Sequence, residues 1–373
     1  MLPAAAKHRF SLADVMPSCL AALVGSYETL DLGHPSKIVV VVVDGLGTHP
    51  LLARAGHART LASQVTRATT IGAGFPSTTA SALTTLTTGV LPGTHGMVGY
   101  AVLDAAHDRV VNQLSGWDDR MVPEAWQSVP TVFETAAAHH VPSFVVAPEK
   151  YRASGFTRAV LRGAEYIAAG DIEARFAHAR EVLDSVDTAL IYLYVPELDQ
   201  AAHAQGNDSS EWTRWLEIID DEVGRFAAKL TRNERMLVTA DHGGVDVPSR
   251  SHVVLEAGSQ LLEGVRHIAG EPRCLQLHLE PGADAGAVLD RWMSEEGRRS
   301  WVFGRDEAVA YGLFGGIVSA EALSRMGDIF VAARARIAYY DGRAKNQSGR
   351  KMIGQHGSLT AEETAIPLLR FGF

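Results

Sequence analysis

The chain has 373 residues, enough for two or three domains or one large α/β unit, and its 46% hydrophobic content can bury a substantial core. A net charge of −9 argues against a nucleic-acid polymer or an anionic membrane as principal partner, whereas a small phosphorylated substrate needs only a local positive site. Its two cysteines, Cys19 and Cys274, form neither a disulfide framework nor a paired metal motif.

In chain order, the start carries Lys7 and Arg9 but no apolar stretch of signal-peptide length. The longest β-type apolar run, Ile38–Val43, is too short to span a bilayer, so a soluble, cytoplasmic protein is expected. Residues 1–36 read as an N-terminal arm with one helix, Leu12–Leu23. The β-branched run Lys37–Val43 predicts a strand buried on both faces, as in the middle of a parallel sheet. It ends in Asp44-Gly45-Leu46-Gly47. The pair Gly45-x-Gly47 lacks the third glycine of a dinucleotide fingerprint, and Thr48-His49-Pro50 follows, so that reading is set aside.

A helix near Leu51–Ala55 and a strand near Ser63–Thr69 lead to Phe75-Pro76-Ser77-Thr78-Thr79. Pro76 suits the turn into a helix, and Thr78 or Thr79 can cap it. That helix should run to Thr88 and stop at Gly89 and Pro92. Gly99–Asp104 and Arg109–Gln113 fit a hairpin on the rim. Helices over Thr131–His139, Ile172–Ser185 and Ser210–Leu230 alternate with strands over Ser143–Ala147, Thr188–Tyr194 and Met236–Ala240. This alternation predicts an α/β fold with a mostly parallel central sheet flanked by helices. Segments from 245 to 351 are shorter and more mixed. They read as an inserted cap or lid that ends in a basic loop holding Arg343, Lys345, Arg350 and Lys351. The core would then comprise residues 37–244 and 352–373, closing with a strand over Ala365–Arg370.

Ligands in open α/β sheets gather outside the carboxyl ends of the strands. Asp44, the pair Asp199 and His203, and the pair Asp241 and His242 each follow a predicted strand. Asp199 and His203 are four apart and share one face of a helical turn, so both can grip one ion. Asp241 and His242 are adjacent and diverge, which lets them reach different points of one ion or two ions. His356 lies in a Gly354-Gln355-His356-Gly357 turn that permits close backbone approach. A hydroxyl at the start of the Thr79 helix faces free N–H groups and the positive end of the helix dipole, where phosphate is favoured. Each piece also has an ordinary structural reading: a capping threonine, a turn aspartate, a surface Asp-x-x-x-His pair. Their joint occurrence at strand ends favours the functional reading.

The ordered set resembles the type I phosphodiesterase/nucleotide pyrophosphatase family of the alkaline phosphatase superfamily. It consists of Asp44, Pro76-Ser77-Thr78-Thr79 with Thr88-Gly89 and His95-Gly96, Asp199-x-x-x-His203, Asp241-His242-Gly243 and His356-Gly357. The resemblance implies an alkaline-phosphatase-like fold and a hydrolase with two divalent metal ions, zinc foremost and manganese or iron as alternatives. It implies one ion at Asp199, His203 and His356, and the other at Asp44, Asp241 and His242. The family's nucleophile lies three residues after the proline, which selects Thr79 and places it on the second ion as well. The reaction implied is cleavage of a phosphodiester or pyrophosphate bond of a small, nucleotide-like substrate through a phospho-threonine. A divalent ion would activate the otherwise weak threonine nucleophile, and the Thr79 N–H would help hold a non-bridging oxygen.

Two departures bear on the substrate. Ala80-Ser81-Ala82-Leu83 stand where eukaryotic-type members carry Phe-Pro-Asn-His, and Tyr100 stands where they carry an asparagine that binds a phosphoryl oxygen. Tyr100 either donates in its place or is an ordinary strand residue. No arginine clamp for a terminal phosphate is evident near Thr79, which favours a diester. A phosphomonoesterase or phosphonate hydrolase of the same superfamily is the alternative, and a metal-binding protein without turnover is the alternative of another class.

Overall fold

A computed structural model describes residues 2–3 and 8–373; residues 1 and 4–7, including the basic Lys7, lie outside the described residues. Val39–Val43 are fully buried, as a β-branched run between two covered faces requires. Strand Lys37–Val43 lies between Glu234–Thr239 and Ala189–Val195 and is parallel to both. Ser143–Ala147 and Glu165–Ala168 extend this parallel set on the Ala189–Val195 side. On the other side Ala365–Phe371 runs antiparallel to Glu234–Thr239, and Thr70–Gly72 pairs antiparallel with it. The seven-stranded central sheet is therefore mixed. Its five adjacent strands from Glu234–Thr239 to Glu165–Ala168 are parallel, in keeping with the expected mostly parallel sheet, and the departure comes at the C-terminal strand for a simple reason. The chain before Ala365 already stands at the carboxyl edge of the parallel strands. A short connection from there can enter the sheet only in the opposite direction.

Two groups of helices cover this sheet. Leu12–Leu23, Thr79–Thr88 and Val132–Ala138 pack together, and Ile172–Ser185 packs with Ser210–Ala227. The N-terminal helix is part of the core: Leu12, Val15, Met16 and Cys19 are fully buried. Helix Thr79–Thr88 ends where the sequence predicts, at Gly89 with φ of 72°. A Cβ on Gly89 would lie 2.3 Å from Pro17 Cγ, so glycine also permits this helix contact. The strand expected over Ser63–Thr69 begins only at Thr70. Before it, Thr66 N–H donates to Thr69 Oγ1 (2.7 Å) and Thr69 N–H to Thr66 Oγ1 (3.2 Å). These hydroxyls satisfy the local backbone and compete with a sheet ladder.

A second, six-stranded antiparallel sheet has the order Ser300–Gly304, Ile329–Ala333, Cys274–Leu279, Val265–Glu271, Ala101–Asp104, Arg109–Asn112. The hairpin expected on the rim is thus an integral part of the sheet built mainly from the 245–351 region. Phe75, immediately before the Pro76 turn, is 5.3 Å from Phe314 and 6.1 Å from Phe330, ring centre to ring centre. Burying such a ring contributes roughly 1.5–3 kcal/mol and anchors the turn in the core of the second sheet. Among the described residues no helix is long and apolar enough to cross a membrane.

Candidate metal centre and active site

Three parallel strands end side by side, so the residues that follow them share one crevice. Asp44 directly follows Val43; Asp241 and His242 follow the neighbouring strand; Asp199 and His203 stand one turn apart on helix Glu197–Gln205. Glycines set how closely these segments approach. A Cβ on Gly45, whose φ is +75°, would lie 3.0 Å from Asp199 Cβ, and one on Gly47 would lie 2.8 Å from Gly243 Cα. The Gly45-x-Gly47 pair therefore serves close loop packing.

The structure gathers six ligand-type side chains into two groups, Asp199–His203–His356 and Asp44–Asp241–His242. Within each group one ligand atom per residue lies within 4.8 Å of the others. The His242 and His356 rings stack with centres 3.6 Å apart, which joins the groups. All three imidazoles are held alike. Nδ1 of His203 meets the Gly354 carbonyl at 2.7 Å, that of His242 meets Gly243 at 3.0 Å, and that of His356 meets Ser77 at 2.9 Å. A carbonyl only accepts, so each Nδ1 carries a proton and each Nε2 faces the site.

The carboxyls are held with equal care. The Tyr194 hydroxyl donates to Asp44 Oδ2, and the N–H groups of Gly45 (3.1 Å) and His242 (3.0 Å) donate to Asp241 Oδ1. Asp44 Oδ1 and Asp241 Oδ2 are buried without a hydrogen-bond partner. Burial, then the charges of Asp241 and Asp199, push the Asp44 carboxyl well above its ordinary range. Burial and Asp199 push Asp241 up to about 6. Burial opposes a charge on His203, but Asp199 Oδ2 at 3.0 Å outweighs it and holds the imidazole up at about 9. Burial lowers His242, and burial together with His242 lowers His356 to about 3. Bare, buried carboxylate oxygens crowded against one another are costly, and a divalent cation beside them removes that cost. Three carboxylates and three imidazole Nε2 atoms fit two such ions.

Thr78 is the N-cap residue and Thr79 the first helical residue. Thr79 Oγ1 lies 3.1 Å from His242 Nε2, against the Asp44–Asp241–His242 group. Ser77 ties this turn to the His356 turn: its hydroxyl donates to the Ser358 carbonyl (2.8 Å) and accepts from Gly357 N–H (3.2 Å). Tyr100 is not drawn into either group; 38% exposed, it stands on the cavity wall, and its N–H donates to Glu271 Oε2 at 3.0 Å.

The site opens into a cavity of about 730 Å³ whose walls include Thr79, Tyr151, Phe156, Tyr194, Asn346 and Met352. The described lining residues include no lysine or arginine. In the basic loop Arg343 turns back to Asp341 (2.9 Å), while the loop's uncharged Asn346, Ser348 and Gly349 line the cavity. Sequence reasoning missed Tyr194 and Glu271 as site residues. Tyr194 had a signal, a hydroxyl near the carboxyl end of an otherwise apolar strand. Glu271 had none, being one acid at a strand end in a region without a motif.

Residues 38–359 match the sequence model of the family described as type I phosphodiesterase / nucleotide pyrophosphatase. No curated protein matches the chain. Among solved structures, murine ectonucleotide pyrophosphatase / phosphodiesterase 5 is similar at 18% identity, over 90% of this chain and 88% of that one, with a TM-score of 0.67. An inactive form of the murine protein in complex with AMP aligns with a TM-score of 0.66, at the same identity and coverage. Phosphonoacetate hydrolase from Sinorhizobium meliloti 1021, in complex with phosphonoacetate, aligns at 16% identity over 90% of each chain, with a TM-score of 0.69. At such identities the likeness is one of fold.

Proposed function

The chain belongs to the type I phosphodiesterase/nucleotide pyrophosphatase family of the alkaline phosphatase superfamily, and from that membership we propose a specific activity. It is a two-metal hydrolase, with zinc as the preferred ion, that cleaves a phosphodiester or pyrophosphate bond of a small, nucleotide-like molecule through a phospho-threonine at Thr79. The observation that carries this reading is the Thr79 hydroxyl lying against one of two adjoining carboxylate–imidazole groups. Asp199, His203 and His356 would hold one ion, and Asp44, Asp241 and His242 the other. When bound, the ions would supply positive charge that lowers the pKa of a threonine alcohol and offsets charge on phosphoryl oxygens.

The chain's own residues do the rest. The start of helix Thr79–Thr88 aims N–H groups and the positive dipole end at the phosphoryl group. Thr79 Oγ1 forms the new bond to phosphorus as the ester or anhydride bond to the leaving group breaks. Water then cleaves the phospho-threonine and regenerates the alcohol. Tyr194 fixes the Asp44 carboxylate through its hydroxyl. Tyr151 and Tyr194 line the cavity, and aromatic side chains there suit a planar organic substituent. A cavity of about 730 Å³ has room for a second substituent on phosphorus, and described lining residues without lysine or arginine suit a diester better than a terminal dianion.

The test is a paired assay of bis-p-nitrophenyl phosphate and p-nitrophenyl phosphate with added zinc, with phosphonoacetate as a third substrate. Preference for the diester is expected. A large preference for the monoester or the phosphonate overturns the diesterase reading in favour of that activity. Thr79→Ala should lose turnover by about a thousandfold or more while keeping its metal content. Equal activity of variant and wild type removes the nucleophile assignment, and activity that survives exhaustive chelation removes the two ions.

A further inference from the structure

The cavity does not stop at the metal centre; it also runs inward along two elements that lead away from it. Leu83 stands one helical turn after Thr79 on the same face, and Tyr192 stands two residues before Tyr194 on the same face of its strand. All four line the cavity. The Tyr192 and Tyr194 rings are stacked with centres 6.2 Å apart, and Phe133 meets Tyr192 edge to face at 6.4 Å, so this wall is fixed in place. Helix Gly155–Val160 packs against helix Thr79–Thr88, and Phe156 and Leu161 join the lining there, with Leu114 and Ala147. Leu83, Ala147, Phe156 and Tyr192 are buried; Leu114 and Leu161 are half-buried. One turn of helix and two residues of strand each advance about 6 Å, so this inward lobe reaches about that far from the nucleophile.

The walls narrow the occupant. Polar groups beside the lobe already have partners: Ser154 Oγ donates to Thr157 Oγ1 (3.1 Å), and the Tyr166 hydroxyl donates to the Pro148 carbonyl (2.7 Å). A sugar or a second phosphate placed against the leucines would lose its hydrogen bonds to water and find no equivalent. A hydrocarbon group loses none and removes apolar surface from water. A depth of about 6 Å admits a chain of about five or six carbons, or one ring.

Resting on the diesterase reading, we propose that the lobe bounded by Leu83, Leu114, Ala147, Phe156, Leu161 and Tyr192 holds the second substituent on phosphorus, and that this substituent is a compact apolar group, a short alkyl chain or a single hydrocarbon ring. The planar arm stays at the mouth, beside Tyr151 and the exposed Asn346. The favoured substrate is then a mixed diester with one planar or polar arm and one small apolar arm. Each methylene that enters the lobe strengthens binding until the lobe is full, and further length projects against packed side chains.

The test is a set of p-nitrophenyl diesters whose second arm is methyl, hexyl, decyl or a diethylene glycol chain that matches hexyl in length. The wild-type enzyme should favour the hexyl ester over both the methyl and the glycol ester in kcat/KM, by about tenfold or more each. Leu83→Phe fills the lobe and should bring the hexyl-to-methyl ratio close to one. Phe156→Ala lengthens it and should make the decyl ester a better substrate than the hexyl ester. Each ratio is read within one preparation, so partial misfolding of a variant does not alter it. Cleavage of the methyl ester with a wild-type hexyl-to-methyl ratio near one overturns the lobe's role while leaving the diesterase reading standing. Equal rates on the hexyl and glycol esters overturn the apolar choice. A hexyl preference that survives in Leu83→Phe places the chain elsewhere and overturns the lobe. Failure to cleave any of the diesters overturns the lobe together with the diesterase reading.

Discussion

At the scale of single residues, the histidines divide by what holds Nδ1. In His203, His242 and His356 it donates to a carbonyl, which leaves Nε2 for the site. In His95 the roles reverse. The Met97 N–H donates to Nδ1 at 3.1 Å, so the proton sits on Nε2, which meets Thr85 Oγ1 at 3.0 Å. His95 belongs to the motif set, yet it is a neutral core histidine that ties helix Thr79–Thr88 to the turn after it. Burial, then Arg325, lowers it to about 3. The unfolded chain takes up a proton below about pH 6.5, while the folded chain resists until about pH 3. This group therefore adds no pH dependence above pH 6.5 and removes stability as pH falls from there. His95→Gln is expected to be less stable than wild type at pH 7, with a gap that narrows by on the order of 2–4 kcal/mol toward pH 4. Urea melts across that range measure it, and a constant gap would contradict the neutral assignment.

At the scale of elements, the site depends on loops that nearly touch. The loop after Lys37–Val43 meets the loop after Glu234–Thr239 glycine to glycine, at Gly47 and Gly243. A Cβ on Gly243 would lie 2.1 Å from the Glu362 carbonyl oxygen and 2.9 Å from Gly47 Cα, and both neighbours are backbone. Gly243→Ala must therefore displace the segment that carries Asp241 and His242. A loss of about 1–3 kcal/mol in stability is expected from the overpacking. Because ligand geometry shifts with the loop, affinity for the proposed zinc ions should fall by about tenfold or more. Zinc titration monitored by thermal melting reads both effects, and an unchanged affinity would show that the loop spacing is not what sets the site.

At the scale of the whole molecule, a buried ion pair joins the two sheets. Arg273 donates to Glu363 through Nε (3.0 Å) and Nη2 (2.7 Å), and to the carbonyls of Ala333, Ala335 and Ile337. The Glu363 carboxylate also accepts the Ser358 N–H, and its backbone carbonyl accepts the Gly243 N–H. The pair thus braces the segments that carry both His356 and His242. Removing one partner strands the other's charge, so Arg273→Ala is expected to cost about 3–5 kcal/mol. Replacing both, as Arg273→Met with Glu363→Leu, should cost less than that single change. Denaturant melts of the three proteins decide it; a single variant within about 0.5 kcal/mol of wild type would show that the pair braces nothing.

Much of this protein is legible in its sequence because the relevant forces act over a few residues. The β-branched run before Asp44 can only be a doubly covered strand, Gly89 stops the Thr79 helix, and four-residue spacing puts Asp199 and His203 on one helical face. The remainder lies in contacts between segments far apart in the chain. The direction of the C-terminal strand followed from where the His356 segment had already been placed. The hairpin Ala101–Asn112 joined the second sheet because Ala101 found Gly270. Gly45-x-Gly47 acquired its meaning from Asp199 and Gly243. Residue type and spacing determined which elements form and which groups can do chemistry. Strand order, loop approach and buried partners were decided only by the folded chain, since each is a free energy shared by residues that are neighbours in space and not in sequence.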